Sequence, residues 1–381
     1  MTDAHKTTAV LTSKAAWRRV TGSIREVIGA AVLCNGMDWR SSGVLLAIAV
    51  LAVVAEGSVA GQTAQNSSPS RAIAELPFSR LTPEAAIAVA LEPGATLTAD
   101  AIWTPHRLSA AIVRIDPGNN TSARPIPVGT PPCASLVVNS IRPETGVSST
   151  TPPASDVWVP LCAGHTIARV NIRHGNVTAT VPLPVVEPSG TVGWAIGSLW
   201  VLSDAKGVLS RIDPATNAPV AEAYVAAGPF AVATSDDEVW VTSEEGSALT
   251  RIDGHTNAIV ETIKVGPRPG HVAIGEDAVW TLNRGDGSVS RVHRKSNKVV
   301  ATVTIGADVA DGVIVVGEGA VWVSARGVPL VRIDPRTNRA THRFTGEGGG
   351  MVLAGHGSIW VAAGPNLTWR IDPKLIAGLR P

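Results

Sequence analysis

An excess of charge of either sign is what this 381-residue chain lacks: 32 Lys and Arg stand against 31 Asp and Glu, a formal net charge of +1. Phosphate backbones are held by a basic stripe, so this balance argues against nucleic acid as a partner. Cysteine is scarce, three in all, and no Cys-x-x-Cys pair occurs. Nor does the sequence contain a Ser-His-Asp spacing, a phosphate-binding glycine loop or a calcium loop. Gly348-Gly349-Gly350 reads as the turn that opens a strand. After residue 90 no segment keeps a helical period over three turns. The apolar run Val44 to Ala55 is well short of the roughly 20 residues that a membrane-spanning helix needs.

What the chain does have is a repeat. An aliphatic residue followed by Trp recurs at Trp103, Trp158, Trp200, Trp240, Trp280, Trp322 and Trp360. Each is followed ten or eleven residues later by Arg-Ile or Arg-Val, at Arg114, Arg169, Arg211, Arg251, Arg291, Arg332 and Arg370. The Trp spacings are 55, 42, 40, 40, 42 and 38, close to the length of one four-stranded propeller blade. The fold class predicted is all-β, a seven-bladed β-propeller filling residues 71–381.

The fourth unit shows the grammar of a blade. Strand A is Phe230 to Ala233, strand B Val239 to Thr242, strand C Ala248 to Ile252 and strand D Ala258 to Val265, with Gly, Asp and Asn between them. The Asp-Pro-x-Thr-Asn tracts, Asp213 to Asn217 and Asp334 to Asn338, read as turn chemistry rather than metal loops. Asp accepts a backbone N–H, Pro presets φ, and Asn tolerates the left-handed region. The Trp of strand B, held at one register in every unit, reads as a packing residue between blades.

Residues 1–60 read as an N-terminal extension and signal peptide. Arg40 precedes the apolar run and Ser58-Val59-Ala60 follows it as a small-x-small cleavage pattern. Export to the periplasm or outside the cell follows; the competing readings are an anchor at residues 43–55, which would be the chain's one membrane contact, and a twin-arginine signal at Arg18-Arg19. Translation starting at Met37 would give the leader ordinary proportions. Residues 61–70, rich in Gln, Ser and Asn, read as a linker. Cys34 precedes the run, leaving Cys133 and Cys162, both in the second blade, at positions that face each other across its A–B hairpin. In an oxidising compartment they are expected to pair as a disulfide, closing the base of the long loop Asn139 to Asp156.

Connectivity indicates where function can sit. With strand A innermost, the D–A and B–C loops emerge on one face of the disc, and these are the loops that vary. The D–A loops carry Glu187, Ser189, Arg268, His271, Asp308, Asp311 and Glu347. The B–C loops carry His106, Arg107, His165, Asp204, Lys206, Glu244, Glu245, Arg284, Asp286 and Arg326. The ligand-binding candidates drawn from them are Arg268, His271, Asp308, Asp311, Glu187, Glu347, Arg284, Asp286 and Arg326, around a common channel mouth. His271 stands out because the equivalent inner-strand positions are Thr191, Ala231, Val313 and Met351. It could serve as a base, a ligand-binding group or, with Asp308 and Asp311, a metal ligand.

The unit Gly-x-Val-Trp-Val, Val-x-Arg-Ile-Asp-Pro-x-Thr-Asn-x-Val, Ile-x-Val-Gly resembles the bacterial YVTN-type β-propeller repeat and that of virginiamycin B lyases, over nearly all of Ala72 to Pro373. The resemblance implies the fold. In the lyases it also implies an inner-strand His, a Glu just after the strand-B Trp and a magnesium ion, which together open a lactone ester by elimination. His271 matches that His, and the position three after Trp280 is Asn283. The corresponding residues of the other blades are His106, Leu161, Ser203, Ser243, Ala325 and Ala363.

The leading expectation is an exported module without a cofactor, binding a small molecule or an envelope or extracellular protein. The alternative is a lyase or lactonase with His271 as base and Mg2+ held by Asp308 or Asp311. Ring closure is expected from the N-terminus, because after Pro373 no run remains for a strand D in blade 7. Arg71 to Phe78 reads like a displaced strand D, so Ala72 to Leu76 is expected to pair with strand C of blade 7 as its outermost strand.

Overall fold

The computed structural model describes residues 72–139, 156–187, 190–235 and 237–380. The leader, the linker, Cys34, Ser189 and nearly all of the loop from Asn139 to Asp156 lie outside the described residues. The chain divides into Met1–Ser70 and Arg71–Pro381, and the second unit is a propeller of seven sheets.

Each sheet is built on a strand meander, to which the N-terminus adds a strand in blades 6 and 7. In blade 4 strand A is Pro229–Thr234, strand B Glu238–Ser243, strand C Ala248–Asp253 and strand D Ile259–Lys264, within a residue or so of the sequence reading. All seven strand-B Trp residues are at most 1% exposed, and each is in register with the Arg of strand C, as in Trp240↔Arg251. In blades 2, 3, 4, 5 and 7 the guanidinium lies 5.0 to 5.6 Å from the centre of the Trp ring beneath it, a cation–π contact.

Those same five arginines join neighbouring blades. Arg211 donates to Gly254 O at 3.0 Å and Asn257 Oδ1 at 3.2 Å. Arg169, Arg251, Arg291 and Arg370 repeat the contact, each with a C–D turn carbonyl and the side chains of Asn217, Asn297, Asn338 and Asn120. The five Asn residues have φ of 53 to 61°, so left-handed backbone and side-chain acceptor are both supplied by one residue. The turn reading holds: Asp213 and Asp334 accept the N–H of Ala215 and Arg336. Two links are missing. Blade 2 has Gly175 where the others have Asn, and Arg114 pairs with Asp100 and Asp116 of its own blade. Blade 7 has no C–D turn, and Arg332 donates to Thr341.

An N-terminal strand does complete the last blade, but a different segment supplies it. Strand β1 (Ala74–Pro77) runs parallel to strand D of blade 6 (Arg339–Thr345) as a fifth strand, with Leu76 opposite Phe344. Strand β2 (Ala85–Ile87) is the outermost strand of blade 7, antiparallel to its strand C, with Ala86 opposite Trp369. The expected pairing of Ala72 to Leu76 with blade 7 is therefore corrected: Ala85–Ile87, further along the chain, takes that place. Between the two strands Phe78 turns inward and stacks on Trp369 at 4.8 Å. The remaining residues of blade 7 form helix α1 (Pro373–Gly378), capped by Asp372, which accepts the Lys374 N–H, and anchored by buried Ile376. Among the described residues the structure is otherwise all-β apart from short 3-10 turns.

Candidate functional site

Cys133 and Cys162 form the disulfide, with Cα atoms 5.8 Å apart. It joins the start of strand A to the end of strand B, so it lies at the D–A/B–C end of the hairpin. The base of the Asn139–Asp156 loop, at the other end, is closed instead by hydrogen bonds between those two residues. The bridge borders a cavity of about 320 Å³ lined by Arg107, Pro131, Pro132, Ala163 and Glu187. Arg107 is fixed there by Glu92 at 3.0 Å and by the carbonyl of Pro93.

A second cluster forms on blades 4 to 6. The B–C loop of blade 5 is pinned to its D–A loop by Arg284 N–H to Arg268 O and Gly285 N–H to Pro267 O, both at 3.0 Å. From there the Arg284 side chain crosses Gly270, where a Cβ would come within 2.4 Å of its Cδ. Its guanidinium lies 4.6 Å from the Phe230 ring centre, donates to Glu244 Oε1 of blade 4 at 2.6 Å and to the carbonyl of Ala310 of blade 6. One side chain thus fastens three blades, and only glycine at 270 leaves it room. Arg268 stands 3.9 Å from the same Glu244 oxygen but is 60% exposed.

Beneath this latch sits His271. Its ring meets Phe230 edge to face at 5.4 Å. Gly190, at φ 105°, makes room for it on the other side; a Cβ there would lie 3.1 Å from the imidazole. The peptide before it is held by Thr242 Oγ1, which donates to Gly270 O at 2.6 Å. Burial, and then the Arg284 charge, lower the His271 pKa to about 4. The imidazole is therefore neutral at pH 7, one nitrogen a donor and the other an acceptor.

The other candidates are engaged locally. Asp311 pairs with Arg326, and Asp308 accepts the Ala310 N–H. Asp286 accepts from the N–H and hydroxyl of Ser288, as a turn cap. Glu187 lines the disulfide cavity, and Glu347 is exposed. Asn283, where the lyase repeat has Glu, is fully buried, donating to Ser288 and Ser290 and accepting from Thr281. Among the described residues, the one trio of potential metal ligands within 4.8 Å is Cys133, Cys162 and Glu187, two of which are already joined as the disulfide. Phe230, Gly190, Gly270 and Thr242 were not singled out from the sequence. The available signal was a Phe beside the inner-strand layer in a chain with three Phe in all.

No family model and no curated protein matches the chain. Solved structures do match it in fold. Virginiamycin B lyase from Staphylococcus aureus is 17% identical with a TM-score of 0.58, over 74% of this chain and 94% of that one. A catalytically inactive histidine-to-alanine variant of that lyase with Quinupristin gives 17% and 0.59, over 75% and 96%. BamB from Moraxella catarrhalis is 13% identical with a TM-score of 0.55, over 77% and 98%. At these identities the likeness establishes the seven-bladed propeller architecture that the chain shares with them.

Proposed function

We propose that this protein is an exported β-propeller that binds a small molecule or a segment of an envelope protein through its D–A/B–C face. One observation carries the reading: a neutral His271 beneath the Arg284 latch, at the inner-strand position where blades 3, 4, 6 and 7 have Thr191, Ala231, Val313 and Met351. Arg284 is already neutralised by Glu244, so the site suits an uncharged ligand with an apolar group and a carbonyl or hydroxyl for the imidazole. The disulfide and the BamB-like fold support export.

A second reading, ester cleavage of lyase or lactonase type, takes the unprotonated His271 imidazole as its base, although a pKa lowered to about 4 makes that base a weak one. Burial of Asn283 among hydroxyls weighs against it, because the side chain at that position faces its own sheet.

A thermal-shift screen of the protein against metabolites, cell-wall fragments and lactones tests both. Binding predicts hits that raise the melting temperature, that His271→Gln or Arg284→Met abolishes, and that EDTA or added magnesium leaves unchanged. Hits that both variants retain would overturn the assignment of this site. Consumption of a lactone that stops with His271→Gln would select the second reading.

A further inference from the structure

Three side chains able to ligate a metal meet at the disulfide end of blade 2. Cys133 Sγ, Cys162 Sγ and a carboxylate oxygen of Glu187 all lie within 4.8 Å of one another. Each is held in place by contacts other than the bridge. The Cys133 N–H donates to Pro160 O at 3.1 Å, tying strand A to strand B beside the sulfurs, and the His165 N–H donates to Cys162 O at 3.0 Å, closing the turn that follows. The Val186 N–H donates to Leu202 O of blade 3 at 2.9 Å, one residue before Glu187. Val185 packs in the same apolar cluster as Ala134 and Cys162. Among the described residues Glu187 makes no hydrogen bond or ion pair, so its carboxylate is not committed elsewhere. Opening the bridge therefore leaves three ligand atoms converging, rather than two loose thiols.

The chemistry of the set selects its ion. Thiolates are soft ligands that favour zinc-class ions over magnesium or calcium, and a carboxylate can complete such a set. Two sulfurs on one tetrahedral zinc stand roughly 3.8 Å apart, from a Zn–S bond of about 2.3 Å. Cα atoms 5.8 Å apart leave room for that separation once each side chain turns about its Cα–Cβ bond. The Cys162 N–H points at Cys133 Sγ at 2.9 Å, supplying the outer hydrogen bond that a ligating sulfur takes. The cavity of about 320 Å³ at the bridge gives the ion a way in and a fourth position for water. Arg107 lines the same cavity, and its pairing with Glu92 offsets the charge that would repel the ion. We propose that reduction converts the Cys133–Cys162 bridge into a zinc-class metal site completed by Glu187. A dithiol breaks the S–S bond, placing one hydrogen on each sulfur while closing its own disulfide; ion binding then releases both thiol protons to solvent. The end of the hairpin is thus closed covalently under oxidising conditions and by a metal under reducing ones. The proposal is independent of the His271 site.

Cobalt, a coloured stand-in for zinc, tests it on the full chain carrying Cys34→Ser, in which the pair supplies every thiol. The chain is reduced on a resin-bound dithiol under argon, separated from the resin and titrated with Co2+. One equivalent is expected to bind with a thiolate-to-metal absorption band in the near ultraviolet, which added Zn2+ bleaches; the oxidised chain should show no band. Zn2+ should also raise the melting temperature of the reduced chain and leave that of the oxidised chain unchanged. Glu187→Gln should keep the band, because both sulfurs remain, and weaken binding on the order of tenfold or more. Glu347→Gln, at another exposed acid of the same face, should change nothing. A reduced chain that keeps its far-ultraviolet circular dichroism but gives no band, one that loses that dichroism, a band in the oxidised chain, or equal affinity with and without Glu187 would each overturn the proposal.

Discussion

On the A–B/C–D face of the disc one contact is made five times: an Arg over its own Trp reaching an Asn in the next blade's turn. On the opposite face the repeated contact is backbone alone, the N–H after strand D to the B–C turn carbonyl, and ion pairs among the described residues, Arg107 with Glu92, Arg284 with Glu244 and Arg326 with Asp311, differ in partner and setting. The first face is a fastening whose cost of ordering is shared by a repeating geometry. The second is free to vary because the ring is already held elsewhere, which is the condition for placing an odd histidine at the axis.

The N-terminal strands are the strongest way to break this division, because they complete the ring where the Arg–Asn series has no link from blade 6 to blade 7. A chain beginning at Ser79 loses β1, buried Leu76 and Phe78 with its Trp369 stack. That should cost about 4 to 6 kcal/mol and lower the melting temperature by on the order of 10 °C. A chain beginning at Val89 also loses β2 and leaves strand C of blade 7 as a bare edge, and should not accumulate folded. Equal melting temperatures for the Ser79 chain and the full chain would remove β1 from the closure.

Two glutamates sharpen the contrast between the faces. Glu238, on the fastening face, accepts from Arg251 at 2.6 Å, Arg294 at 2.9 Å and the Trp240 indole at 3.0 Å, with its side chain 10% exposed. Glu244, on the mouth face, has comparable contacts with Arg284 at 2.6 Å but 26% exposure. Glu238→Ala strands two cations and an indole N–H and should cost about 3 to 5 kcal/mol in denaturant unfolding. Glu244→Ala should cost about 1 kcal/mol, because solvent screens the pair. Equal losses would show that the mouth is as integral to stability as the ladder.

How much of this was legible from the sequence depends on what each pattern encodes. The Trp and turn residues recur at one register, so their burial and φ preferences could be read from a single blade. The disulfide followed from two cysteines in facing positions. The closing strand was misplaced because alternation records which face is buried, not which neighbour is paired. Ala74 to Pro77 has the buried–exposed alternation of an outer strand, and it satisfies that pattern equally well parallel to blade 6 or antiparallel to blade 7. The three residues of β2, Ala-Ala-Ile, carry too little pattern to be found. Asn217 was read for its backbone alone, since its second role joins residues 48 apart in sequence. His271 was visible as an exception to its layer. Arg284 was in view only as a loop charge; its latch depends on Phe230, Glu244 and Ala310, in two other blades.

A further contrast separates the faces by pH. Ordinary His titrates near 6.5, and His271 in the folded chain near 4. Above pH 6.5 the ring is neutral both folded and unfolded, and its full contribution is present. As pH falls from 6.5 toward 4 the unfolded chain takes up a proton that the folded chain refuses, so stability declines across that window and the decline is complete once both forms are protonated. A shift of this size corresponds to about 3 kcal/mol at most, and because the ring is only partly shielded about 2 kcal/mol is the expected loss. His271→Gln cannot titrate and should flatten that part of the profile while leaving stability at pH 8 nearly unchanged. Unfolding free energies measured at pH 8, 6, 5 and 4 check this. If the variant and the parent lose stability in parallel over the window, His271 is solvated rather than held neutral, and the observation that singles out the mouth disappears with it.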